Sequence, residues 1–378
     1  MHSFKFKASK LAILSAISIF TFVLLFRVII PAPQTHMYED TQMSEDEYMY
    51  EHVTRAPDGT LYMAYYFPQF HIAPENKLQL ETENNLYTDW DVIRQSNRRS
   101  ITPLEFYDLK DQQVLDHQDE LAHSHGIGVF IFYHYWLDNS LVLNLPVEHY
   151  LLKKRKTKFM FLWDNESGFL GKQLYDSPEK HAYQMIRFFQ SENYLRDKHG
   201  RCPFLIYHAQ TMDDEYLSTF VSYVQLYGVK LKLGFNYQQH KLQWHVPSWG
   251  EIASEFGPHL EGGATRGDLY SYKARSENLT VPNEYWQGAT VAWDSRPRCA
   301  SGRTAQKSCA QEQPNGQVSP EGFGKLLRDI NLNRHIQNRD NVVTLFAWNE
   351  WSEGATLEPT EEFGSSFIAQ LKVAHVHL

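Results

Sequence analysis

Apolar residues in this chain fall into short unbroken runs separated by stretches of helical period. The runs are LYMAYYF (61–67), GVFIFYHY (128–135), KFMFLW (158–163), PFLIYH (203–208), VKLKLGF (229–235), QGATVAW (287–293) and VVTLFAW (342–348). Most are continuous rather than alternating, the pattern of strands covered on both faces. Between them, Asp111 to His125 carries Val114, Leu115 and Leu121 and stops at Gly126. Ser177 and Pro178 open a second helix, with Ala182, Met185, Ile186 and Phe189 spaced i, i+3, i+4, i+7. Leu217, Phe220, Val221 and Val224 repeat the device before Gly228, and Ser319–Pro320 open another over Phe323, Leu326, Leu327 and Ile330. Such alternation of strand and helix means a parallel α/β fold. Seven strands are clear, and an eighth is expected between 240 and 285. The expected architecture is a single (β/α)8 TIM-like barrel over residues 60–378. No G-x-G-x-x-G or Walker pattern is present, which argues against a nucleotide-binding fold.

The amino-terminal pattern differs. Leu11 to Ile30 is apolar except for Arg27 and is long enough to span a bilayer. Lys5, Lys7 and Lys10 precede it, and Glu39, Asp40, Glu45, Asp46 and Glu47 follow. The positive-inside rule then makes residues 1–10 a cytoplasmic tail and 11–30 a transmembrane anchor. A cleaved signal peptide is the competing reading, but prolines flank the only alanine in VIIPAPQ. Residues 31–59 are polar, acidic and proline-marked, and read as a stem. The expected layout is a single-pass type II protein of the Golgi or ER membrane with its catalytic domain in the lumen. Cys299 and Cys309 enclose a short polar loop, where an oxidising lumen allows a disulfide and leaves Cys202 single. Of the two sequons, Asn278 lies in a polar stretch, whereas Asn165 ends an apolar run and is expected to be buried.

Composition narrows the function. Aromatic residues make up 14% of the 378, and flat rings suit both a large core and a sugar-stacking site. A net charge of −9 excludes a general nucleic-acid binder. No cysteine has zinc spacing, and His117, His123 and His125 read as solvated helix surface, so no metal and no cofactor is expected.

In a barrel of this type the active site lies at the carboxyl ends of the strands. Chemistry-bearing residues collect there. The first run ends in Gln69 and His71, the second in Tyr133, His134, Tyr135, Trp136 and Asp138, and the third in Trp163, Asp164, Asn165 and Glu166. Later ends supply Trp293, Asp294 and Arg296, then Trp348, Asn349, Glu350, Trp351 and Glu353. Each end pairs an aromatic with a hydrogen-bonding group, the requirement of a sugar ring with its apolar face and polar edge. Plainer readings stand beside this one. Tyr133, His134 and Trp136 also suit loop or core, the third-strand acids also suit an ion pair, and Gln69 and His71 also suit a loop cap. Two acids three residues apart at a sharp strand end have few packing reasons to exist.

The blocks AYYFPQFH, TDWDVI, FYDLKDQQVLDHQDELAHSHGIGVFIFYHYW, WQGATVAWDSRPR and LFAWNEWSEGATLEP together resemble the WbsX-like family. That family is described as glycosyltransferases of polysaccharide clusters and is related to the family 99 endo-α-1,2-mannosidases, which are (β/α)8 barrels. The resemblance runs from Leu61 to Leu371 and is collinear. It implies a glycan substrate and adds Trp90 of TDWDVI to the binding candidates. It also implies that Glu350 and Glu353 of the N-E-W-x-E-G block are catalytic in a retaining reaction through a 1,2-anhydro sugar. By that analogy Glu350 is the base on the sugar 2-hydroxyl and Glu353 the acid/base. One departure is the third strand, where the usual A-N-E-N-W-T-R is replaced by WDNESGFLGK. Another is the segment after the fifth strand, which reads NYQQHKLQWHVPSWG.

Three functions follow as expectations: a glycan-cleaving or transglycosylating enzyme, a glycosyltransferase using a sugar nucleotide, and a non-catalytic glycan-binding barrel. A nucleotide-dependent transferase would draw on MDDEY (212–216), a segment that also reads as a helix start. One geometric condition applies to the carboxylate pair. Both acids can face one sugar only if the chain turns helically just after Asn349, with Gly354 helping it leave the turn. Trp348 and Trp351 would then shield the pair and raise the pKa of one acid.

Overall fold

The apolar runs become strands because helices cover one face and the barrel interior covers the other. The computed structural model describes residues 48–73, 88–95, 105–168, 171–237, 247–256, 270, 284–294, 296–300, 318–333, 338 and 340–374. In chain order the barrel strands are β1 (Leu61–Tyr66), β2 (Ile127–Leu137), β3 (Lys158–Trp163) and β4 (Cys202–Ile206), then β5 (Leu231–Asn236), β6 (Ile252–Ser254), β7 (Glu284–Thr290) and β8 (Val342–Phe346). Each pairs in parallel with its neighbour. β1 pairs with both β2 and β8, for example Tyr66 with Phe132 and Tyr62 with Val343, so the sheet closes. β6 is the strand expected between 240 and 285, reduced to three residues. A short strand, Ser140–Val142, folds back antiparallel on the long end of β2.

The helices are α1 (Trp90–Gln95), α2 (Gln112–Ser124), α3 (Leu145–Leu151) and α4 (Pro178–Phe189), then α5 (Asp214–Leu226), α6 (Arg296–Ala300), α7 (Pro320–Leu332) and α8 (Ser366–Val373). Their starts obey local chemistry. Asp111, Asp213 and Ser319 each accept a backbone N–H of the first turn, at Gln113, Tyr216 and Gly322. The MDDEY segment is therefore a helix cap. The i, i+3, i+4, i+7 residues Ala182, Met185, Ile186 and Phe189 are all buried, as are Phe323, Leu326, Leu327 and Ile330.

Residues 48–59, the end of the polar stretch read as a stem, pack under the barrel at the amino ends of its strands. The Tyr50 hydroxyl donates to Glu284 at 2.8 Å, Met49 N–H donates to Asp340 at 2.6 Å, and Arg55 bonds the carbonyls of Gly59 and Asp340. A buried Lys232–Glu284 ion pair completes this floor. The packed unit therefore takes in residues from 48 onward. The expected tail 1–10, the anchor 11–30, the remainder of the stem, Asn278 and Cys309 lie outside the described residues. Among the described residues no helix is long and apolar enough to cross a membrane. Cys202 is a buried free thiol on β4.

Candidate active site

After Phe346 the chain runs through Trp348 and Asn349, then winds into a 3-10 turn, Trp351–Glu353. Gly354 leaves that turn at φ +65°, in the left-handed region. A Cβ at Gly354 would also meet Asp294 Cβ at 2.9 Å. The turn thus meets the geometric condition set by the sequence and puts Glu350 and Glu353 on one side. It is tied to the end of β7, because Asp294 N–H donates to the Glu353 carbonyl at 2.6 Å.

Arg298, on α6, lies across both acids. It forms an ion pair with Glu353 and reaches Glu350 at 3.4 Å, while its Nε donates to Ser352 Oγ at 2.9 Å. The Glu350 side chain is 5% exposed, Glu353 13% and Arg298 28%. Burial pushes the Glu350 carboxyl well above the ordinary range, and the charge of Glu353 adds to this against the pull of Arg298. Burial works against the guanidinium's charge, yet Glu353, Glu350 and Asp89 together raise its pKa. Asp89 and Asp164 also act on Glu350, and Asp89 acts on Arg298 as well. Asp164 is pushed up to about 7 by burial and by the charge of Glu166. The Tyr133 and Tyr135 hydroxyls are both held protonated well above 10, first by burial and then by nearby carboxylates, Glu350 among them in each case.

The candidate residues of the sequence divide into two sets. Tyr133 is brought to the glutamates, stacked on Tyr65 at 6.2 Å and on Tyr135 at 6.4 Å. Trp293 is half-buried against Phe346 and stands one residue before Asp294. Asp294 holds Arg296 through both carboxylate oxygens. Glu166 is exposed and pairs with His208 at 3.3 Å. Gln69 is buried, and its carbonyl accepts the N–H of Asp89, which fixes that acid.

His134 and Trp136 belong to the other set. They alternate with Tyr133 and Tyr135 and so face the helix layer. His134 Nε2 lies 2.7 Å from His181 Nε2 on α4, and Trp136 stacks on the same His181 ring at 4.4 Å. Burial holds His134 neutral, down to about 3. Asn165 spends its amide on the N–H and carbonyl of His208 and on Tyr175 Oη, stapling the ends of β3 and β4. It is a buried link, and its sequon presents no free amide. Asn349 likewise spends its amide on the N–H and carbonyl of Phe67. Trp90 is fully buried between Phe70, Tyr107 and Trp351, and offers no ring face to a sugar. Trp351 is buried with its Nε1 on Glu358, and Trp348 packs edge-on to Phe130. His71 is buried and lowered to about 4 by desolvation, and the side-chain charges acting on it are Asp108, Lys110 and His149.

The sequence reading missed Arg298 and Asp89 as site residues and counted Tyr135 and Asp164 only as strand-end residues. Period-2 alternation from Tyr133 would have found Tyr135. Arg298 lies inside the quoted WQGATVAWDSRPR block, but beyond the strand end.

The fold is a closed parallel barrel with paired acids and tyrosines at the carboxyl ends of its strands. The model of the Glycosyltransferase WbsX family matches residues 62–371, and the chain belongs to that family. The protein WxcX of Xanthomonas campestris pv. campestris strain B100, itself uncharacterized, is 24% identical over 354 residues, covering 81% of this chain and 48% of WxcX. The chain thus spans about half the length of this relative. Among solved structures, a glycoside hydrolase-like protein shares the fold at TM-score 0.55 and 14% identity, over 89% of this chain and 98% of that one. The GH99 endo-alpha-mannosidase of Bacteroides thetaiotaomicron shares it at TM-score 0.51 and 11% identity, over 83% and 97%.

Proposed function

We propose that the barrel breaks, or breaks and re-forms, a glycosidic bond of an α-mannoside-like glycan, with Glu350 and Glu353 as a retaining acid–base pair. The observation that carries this reading is the single guanidinium shared by two carboxyl groups inside the barrel mouth. Such a pair divides one proton between its members, as paired carboxyl chemistry on a glycosidic bond requires. Burial favours the protonated form of Glu350, and Arg298 pairs with Glu353. A shift of the guanidinium toward Glu350 would favour its charged form and pass the proton to Glu353. Glu350 is then free to take the proton of the sugar 2-hydroxyl. As O2 closes on C1, the glycosidic C–O bond breaks and Glu353 protonates the leaving oxygen. Water or an acceptor hydroxyl reopens the ring with the roles reversed. Tyr133 and Trp293 supply the hydroxyl and the ring that position the sugar.

The charge balance supports a donor without a diphosphate. Beside one guanidinium, Asp89, Asp164 and Glu353 all act on Glu350 and already disfavour its charged form, and a sugar nucleotide would bring further negative charge into that cluster. The test is incubation of the purified protein with α-mannosides and, separately, with a panel of sugar nucleotides. Release of sugar from a glycoside without nucleotide is expected. Transfer only from a sugar nucleotide would replace this reading with a nucleotide-dependent transferase.

A further inference from the structure

The end of the LFAWNEWSEGATLEP block contains a third glutamate that the chemistry above does not use. Glu358 is 2% exposed, and three donors converge on its carboxylate. Tyr107 Oη and Trp351 Nε1 each donate to Oε2 at 2.8 Å, and Gln118 Nε2 donates to Oε1 at 2.7 Å. The Tyr66 hydroxyl donates to Gln118 Oε1 at 2.6 Å, which fixes the amide with its N–H groups toward Glu358. The Tyr107 oxygen also lies 3.5 Å from Asn349 Nδ2. One carboxylate therefore grips the residue after Glu350 directly and the residue before it through a tyrosine. We propose that Glu358 is a positioning residue: from behind the catalytic turn it sets the placement of Glu350 against Glu353 and Arg298.

Stability alone gives little reason for this group. A buried carboxylate is costly, and no ion pair to Glu358 is found among the described residues. Its worth lies in its ionised form, which is an acceptor only. Three N–H and O–H groups point at it, and an amide in its place would set donor against donor. Burial raises its pKa to about 7, while the donors of Gln118, Tyr107 and Trp351 oppose that rise. A displacement of about 1 Å at a catalytic group costs on the order of 10²-fold in rate, so a clamp on both flanks of Glu350 acts on turnover rather than on substrate affinity.

The proposal rests on the Glu350–Glu353 reading, and two readouts keep the two claims apart. The first is kcat and KM on whichever glycoside the unaltered protein turns over. The second is a carboxyl 13C NMR titration of Glu350 and Glu353, which needs no substrate. In Glu358→Gln, kcat should fall about 10–100-fold with KM changed by no more than about threefold. The Glu350 titration should move with it. Tyr107→Phe keeps the ring packing and removes one donor, and should lose about 3–10-fold in kcat. A folded Glu358→Gln with unchanged kcat and a superimposable titration overturns the proposal, even if its Tm has dropped. If Glu358→Gln does not fold, the same two readouts on Tyr107→Phe decide, and no change in either overturns it. If the unaltered protein turns over no glycoside, the catalytic reading fails. The titration alone then judges Glu358: a moved Glu350 curve supports the clamp and an unmoved one refutes it.

Discussion

Arg298 touches Glu353 directly and Glu350 at 3.4 Å, so it favours the charged form of both. Replacing it by methionine keeps most of the side-chain volume and deletes that charge. Glu350, already raised by burial, should then titrate higher still. In the proposed mechanism Glu350 loses its proton to act as the base, so the acid-side limb of the pH–rate profile should move to higher pH. The rate should also fall by about 10²–10³-fold, the usual cost of removing one preorganised charge from a buried site. A profile that keeps its limb and its height would remove Arg298 from the mechanism. Residue-level reading from the sequence succeeds or fails on direction. Tyr133 and His134 are adjacent and equally suited to a sugar, yet one meets the glutamates and the other meets His181 behind the sheet. Strand alternation separates them.

The turn that carries Glu350 and Glu353 depends on one glycine. Gly354 combines φ +65° with an approach to Asp294 that leaves no room for a Cβ. Gly354→Ala should destabilise the fold by about 1–3 kcal/mol. It should also lower kcat by roughly tenfold or more, because Asp294 N–H holds the Glu353 carbonyl next to the strained position. Urea melts and kcat on the same preparation check this, and a silent substitution would show that the turn tolerates rearrangement. This turn was legible because two acids three apart require it. The long strands were legible because both their faces are buried, so they read as unbroken apolar runs. β6 was visible only as a gap to be filled, since Ile252–Ser254 is too short to carry a pattern. The donor networks of Asn165 and Asn349 were not legible, because their partners are backbone groups of distant strands ends at His208 and Phe67. Asp89 escaped for a related reason: the Gln69 carbonyl that fixes it is 20 residues away in the chain, by the difference of the two numbers.

Across the molecule, titration at the site is linked to folding. The Asp164 carboxyl has an ordinary pKa of 3.8 and is raised in the fold to about 7. Between those values the folded protein keeps a proton that the unfolded chain releases, so this group's contribution weakens as pH rises from about 4 to about 7. His71 and His134, lowered to about 4 and about 3, act in the opposite sense below about 6.5. Asp164→Asn removes the first effect, relieves part of the rise at Glu350 and leaves both histidines in place. The fall in Tm from pH 5 to pH 8 should therefore be smaller in Asp164→Asn than in the unaltered protein; equal falls would contradict the assignment. The account as a whole stands on the carboxyl pair at the carboxyl end of β8. Its most direct test is the turnover of Glu350→Gln and Glu353→Gln on two α-mannosides that differ only in leaving group. Each variant should stay folded and lose about 10²–10⁴-fold on the poor leaving group. The good leaving group should restore Glu353→Gln in part and leave Glu350→Gln slow, since only the acid becomes dispensable. Two folded variants with nearly full activity would contradict the account and leave both acids to hold Arg298 and nothing more.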